Sequence, residues 1–140
     1  MKANELRIGN YAIFGNNANS TTEEIVAINN TDWFGEGKKY WLETKNLEGE
    51  LLNDFQPIPL TEEWLLKLGF ERTYNSQFRL KYDLPCDFIG FDISKTEEKS
   101  MEGFRYFGHY IKIKYVHQLQ NLYFALTGQE LTINNQFINK

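Results

Sequence analysis

A chain of 140 residues, 41% of them hydrophobic and 16% aromatic, has enough apolar material for one packed domain, or for two small portions sharing a core. Its 15 Lys and Arg against 19 Asp and Glu leave a net charge of −4, which argues against a dedicated electrostatic nucleic-acid binder, since those carry a basic excess. The single cysteine, Cys86, excludes an internal disulfide, and no run approaches the ~18 apolar residues of a spanning helix, so a cytoplasmic protein without membrane partners is expected.

In chain order, residues 10–14 follow Gly9 as a first strand. A polar loop, GNNANSTT, leads to a second strand at 24–28, where Ile25, Val26 and Ile28 are β-branched. Residues 29–39 read as a loop, with Gly35 and Gly37 at its tip. The segments 40–44 and 50–55 read as third and fourth strands. Strands this short at this spacing predict a small curled sheet or barrel, and ELRIGNYAIF resembles the opening of SH3-like barrels. The GEGK of 35–38 lacks the spacing and the following Ser/Thr of a phosphate loop and reads as a hairpin tip.

IPLTEEWLLKLGF is the clearest local signal. Thr61 is a suitable N-cap, Glu62 and Glu63 sit at the positive end of the helix dipole, and Leu60 with Leu65 forms a hydrophobic staple. Gly69 takes the left-handed stop position, with Phe70 folding back on Leu65. A helix of two turns is predicted.

The second half reads as strands followed by a helix. Residues 71–74 and 78–82 make a hairpin, and 88–93 a further strand. Residues 104–114 alternate as one long strand that Gly108 bends or bulges. A helix over 115–127 ends at Gly128, and 131–133 returns to a sheet edge. The fold class is therefore α+β: an SH3-like or small β-barrel portion over 1–59, then a helix, an antiparallel sheet and a backing helix over 60–140 that share a core with the first portion.

YVHQLQNLYFALTGQ, from Tyr115 to Gln129, contains no charged side chain. At 100° per residue, Val116, Leu119, Leu122, Tyr123 and Leu126 share a core face. His117, Gln120, Asn121 and Phe124 lie opposite. Amides, an imidazole and an aromatic without charge read either as a face covered by the chain itself or as a surface for a protein partner or a second copy.

Other constellations carry less. Cys86, His109 and His117 have neither the spacing of a metal site nor local support for a thiol–imidazole pair. Asp87 or Asp92 with Glu97, Glu98 and Lys99 faintly resembles a metal-dependent nuclease layout. The acid–lysine element here lies in TEEKSMEG, a polar loop rather than an apolar strand. Residues 1–70 carry 6 cations and 11 acids, whereas residues 71–140 carry 9 and 8. In the second half, GFRYFGHYIKIKY places Tyr110, Lys112 and Lys114 on one strand face, a candidate stacking and phosphate platform for nucleic acid. The reading is a non-enzymatic binding protein, protein partners first and nucleic acid as the alternative, with no catalytic residues, metal or cofactor expected.

Three blocks, MKANELRIGNY, IPLTEEWLLKLGF and YVHQLQNLYFALTGQEL, resemble a family of small uncharacterised proteins of gut-associated bacteria and their prophages and mobile elements. The resemblance implies a bacterial, phage or mobile-element setting and brings no activity, ligand or site residue with it.

Overall fold

The computed structural model describes residues 1–16, 18–72, 77–79, 90–92, 104–106 and 109–134; for 77–79, 90–92, 104–106 and 109–110 it describes the backbone path alone. The chain divides into two compact units, one of residues 1–58 with 115–130 and the other of residues 59–114 with 131–140. The class is α+β, with an antiparallel five-stranded sheet in each unit.

In the first unit, strands β1 (Tyr11–Phe14), β2 (Thr21–Thr31), β3 (Lys39–Thr44), β4 (Glu50–Leu51) and β5 (Phe55–Gln56) are ordered β4-β3-β2-β1-β5. Alternation puts Ala12, Ile25, Leu42 and Phe55 on the inner face, where they bury with Leu6 as the core. Phe14 and Phe55, paired in register, hold their rings 5.2 Å apart at its margin.

Two differences from the sequence reading have physical causes. The predicted strand over 50–55 is interrupted by a 3-10 turn at Leu52–Asp54. β4 pairs with β3 and β5 with β1, at opposite edges of the sheet, and a continuous strand cannot serve both. β2 runs past the predicted 24–28 because Asn29, Asn30 and Thr31 pair with Trp41, Tyr40 and Lys39, lengthening the β2–β3 hairpin beyond the apolar core. A register shift between Ile25 and Ala27 accommodates an extra residue, and Val26 there is left exposed. The sheet is open, since β4 and β5 end it without pairing to each other; of the small curled sheet or barrel expected from the strand spacing, the sheet is present without barrel closure.

This unit also holds a 3-10 turn at Ala3–Glu5 and α2 (Val116–Thr127), which ends at Gly128 with φ 70°. Its sequence-predicted core face is buried at Val116, Leu119 and Tyr123 and half-buried at Leu122 and Leu126. The sequence reading had this helix backing the second sheet. It belongs instead with the first unit, where its polar face bonds the N-terminal segment.

The second unit holds α1 (Glu62–Lys67) and strands β6 (Glu71–Arg72), β7 (Gln77–Arg79), β8 (Gly90–Asp92), β9 (Phe104–Tyr106) and β10 (His109–Ile111), ordered β10-β9-β8-β7-β6. α1 is terminated as its sequence predicts. The Thr61 hydroxyl accepts from the Trp64 amide at 3.3 Å. At the other end, the Phe70 amide donates to the Leu65 carbonyl and the Gly69 amide to the Leu66 carbonyl, each at 2.9 Å. That bond pair requires the left-handed residue supplied by Gly69 at φ 88°. The long strand expected over 104–114 is instead two strands: Tyr106 pairs with His109, so the chain reverses between β9 and β10. Glycine 108 lies outside the described residues, as do 80–89 and 93–103.

Candidate functional site

The polar face of α2 is met by the chain's own N-terminal segment. Gln120, fully buried, accepts at Oε1 from the Tyr11 amide (3.0 Å) and from Asn10 Nδ2 (3.5 Å), and donates from Nε2 to the Gly9 carbonyl (2.9 Å). Asn121 accepts from Asn10 Nδ2 at 3.0 Å and donates to the Glu5 carbonyl at 2.7 Å. The Asn10 side-chain oxygen in turn accepts from the Arg7 amide at 2.8 Å. Amides occupy this face because each supplies both a donor and an acceptor, which the irregular backbone of residues 5–11 needs to bury its own polar groups.

Phe124, half-buried, carries the Arg7 guanidinium 3.6 Å from its ring centroid, and Arg7 Nη2 donates to Glu130 at 2.7 Å. His117 is 1% exposed and stacks on Tyr115 at 5.8 Å and 9°. Among the described residues neither of its ring nitrogens has a hydrogen-bond partner. Burial holds the imidazole below its ordinary pKa, opposed by the Glu5 carboxylate. Of the four residues proposed from sequence as a partner face, His117 and Gln120 are thus buried, and Asn121 and Phe124 are half-buried under contacts from residues 5–10.

The three residues read from sequence as a nucleic-acid platform span the end of β10. Tyr110 lies within β10, which ends at Ile111; Lys112 and Lys114 follow the strand and are exposed, on either side of buried Ile113. Cys86, Asp87, Glu97, Glu98 and Lys99 lie outside the described residues. Asp92 is described only as backbone in β8 and His109 only as backbone in β10. Among the described residues no cluster of three or more His, Cys, Asp or Glu could hold a metal ion.

An unexpected surface stands at the end of the β2–β3 hairpin. Trp33 and Phe34, in the connection of residues 32–38, are 50% and 72% exposed. Both lean on Trp41 of β3, which points to the sheet face opposite core residue Leu42. The Trp33 and Trp41 rings stack at 4.7 Å and 29°, and Phe34 meets Trp41 at 5.7 Å and 54°. The Trp41 indole N–H donates to the Thr31 carbonyl at 3.3 Å, fixing the platform to the strand end. Trp41 is thereby buried, but at the cost of presenting two aromatic rings to solvent.

The neighbouring β3–β4 turn is built to receive this cluster. Glu23, 3% exposed, accepts from the Thr44 hydroxyl (3.0 Å) and from Asn46 Nδ2 (2.9 Å), while the Thr44 hydroxyl oxygen accepts from the amides of Asn46 (3.2 Å) and Leu47 (3.0 Å). The turn thus held brings Gly49, at φ 68°, beneath Trp33. A methyl group there would lie 2.8 Å from Trp33 Cζ3. Glycine is required twice over, by its backbone and by the ring above it.

Sequence reasoning passed over Trp33 and Phe34 by treating 29–39 as an ordinary loop, and Trp41 by treating it as one residue of the strand 40–44. The available signal was TDWFGEGKKYW itself, in which Trp and Phe adjoin a glycine-rich turn and two further large rings, Tyr40 and Trp41, lie six and seven residues beyond Phe34. Comparisons with family models, curated proteins and solved structures found no match.

Proposed function

We propose that this chain is a non-enzymatic protein-binding module and that the hairpin tip formed by Trp33 and Phe34 over Trp41 is its binding surface. The observation that carries this reading is the exposure of Phe34 and Trp33 while both rings pack on buried Trp41. Large rings with few rotatable bonds bury much apolar area on binding and lose little entropy, and aromatics are enriched at the centres of interfaces. The tip therefore replaces the α2 amide face as the favoured partner surface.

We read the first unit as an open relative of the SH3-like arrangement. Its meander from β1 to β4, the 3-10 turn into β5 and the return of β5 beside β1 support that reading. A bacteriophage or mobile-element context belongs to the same proposal and rests on the resemblance of the three sequence blocks.

The test is photocrosslinking from a benzophenone amino acid placed at position 34 of the full chain expressed in bacterial cells, with position 63 on α1 as control. The expected result is a discrete protein adduct from position 34 that is absent from position 63 and lost on Trp33→Ser. Equal adducts from both positions, or none from position 34, would overturn the reading.

A further inference from the structure

We infer that the partner segment received by the tip is basic, and that an arginine head is laid against the Trp33 and Phe34 rings; this rests on the reading of the tip as a protein-binding surface. Charge favours a basic segment. The unit that carries the tip has 5 Lys and Arg against 10 Asp and Glu, a balance of −5, whereas the other unit has 10 against 9. The acids are also local. Asp32 immediately precedes Trp33, Glu36 lies in the same connection, and Glu48 and Glu50 flank the glycine beneath the Trp33 ring. Of the two lysines nearby, Lys39 is bound to Glu36 at 2.5 Å and cancels that acid, and Lys38 offsets one charge more, which leaves a local excess of two acids among Asp32, Glu48 and Glu50. Asp32 and Glu48 are exposed and have no ion-pair partner among the described residues.

The chemistry of the rings favours a cation as well. The face of an indole or phenyl ring carries negative electrostatic potential and attracts a cation by about 0.5–2 kcal/mol according to exposure. A planar guanidinium can stack on such a face while still donating to carboxylates at its edge, which an ammonium cannot do. The same unit already contains this pairing, with Arg7 over Phe124 and bound to Glu130. Apart from the adjoining residues, no heavy atom lies within 4 Å of where a side chain would begin at Gly35 and Gly37, and the exposed faces of Trp33 and Phe34 are open to an approaching segment.

The same charges disfavour the other occupants. A second copy meeting the tip through its own tip-bearing unit would bring −5 against −5, and nucleic acid would bring phosphates to the acidic rim. The tip is apolar at its centre and acidic at its edge, and a basic peptide complements both.

The experiment uses the full chain and a blocked eight-residue peptide of alternating arginine and glycine, with a second peptide carrying glutamine in place of arginine. Indole N–H resonances of the three tryptophans report binding. The expected result is a saturable shift of the Trp33 resonance with the arginine peptide. Affinity should fall roughly threefold or more with Asp32→Asn plus Glu48→Gln, and likewise with Phe34→Ser, amounts equivalent to loss of one exposed cation–π or ionic contact. It should also weaken as salt is raised from about 50 mM to about 300 mM. The inference is overturned if the arginine peptide leaves Trp33 unmoved, or if the glutamine peptide binds equally well. Should that happen while position 34 still crosslinks to a discrete, non-basic protein, the tip stands as the binding surface and only the charge of its partner is wrong.

Discussion

Replacing Gln120 with leucine should destabilise the first unit by about 3 kcal/mol, although the substitution adds an apolar side chain of similar size to a fully buried position. The estimate comes from what the amide holds. Its Oε1 is the acceptor for the buried Tyr11 amide at 3.0 Å, and losing that bond at a buried position costs about 1–3 kcal/mol. The Gly9 carbonyl, half-buried, loses the Nε2 donor at 2.9 Å, and Asn10 loses its longer bond, which together add ~1 kcal/mol. Leucine fills the volume but satisfies none of these groups. Urea denaturation should show a midpoint lowered by ~1–2 M for a slope in the ordinary range, and hydrogen exchange at the Tyr11 amide should accelerate before global unfolding. A destabilisation below ~0.5 kcal/mol, with Tyr11 still protected, would refute the claim that α2 anchors the N-terminal segment through this amide.

Three other outcomes are expected. His117 has its pKa lowered by burial, so the unfolded chain binds its proton first: its contribution to stability is complete above the unfolded pKa of about 6.5 and falls as pH drops through that value toward the folded one. His117→Leu should abolish that part of the acid loss with little cost at pH 8, as the difference between the two urea-stability curves across pH 5–8 will show. Gly49→Ala should cost about 1–2 kcal/mol from its left-handed backbone and push the Trp33 ring from its seat, seen as a changed Trp33 indole resonance with Trp41 still buried. Single-stranded oligonucleotides should bind no more tightly than ~100 µM at physiological salt, and Lys112→Glu with Lys114→Glu should leave fluorescence anisotropy titrations unchanged.

Legibility in the sequence followed the range of the interactions involved. α1 could be read at both ends because its cap, staple and glycine stop lie within a dozen consecutive residues. The core stripe of α2 was equally local, since spacing alone aligns Val116, Leu119 and Tyr123. The occupant of its other face was not, because Gln120 and Asn121 bond residues about 110 positions earlier. The split of 50–55 depended on two edges of one sheet recruiting successive residues, and the split of 104–114 on a reversal that alternation cannot distinguish from a bend. The hairpin tip was hidden for a related reason. The aromatic cluster needs β2 to extend to Thr31 and the β3–β4 turn to bring Gly49 beneath Trp33, and both are consequences of pairing rather than of local pattern.

Hydroxyl-radical footprinting of the full chain, alone and crosslinked or bound to its captured partner, tests the central claim most directly because it reports every candidate surface in one experiment. The account predicts rapid modification of Trp33 and Phe34 in the free chain and their protection in the complex, with Phe124 and His117 slow in both. Protection concentrated at Phe124, or at the side chains around Lys112 and Lys114, with Trp33 and Phe34 still fully reactive, would contradict it.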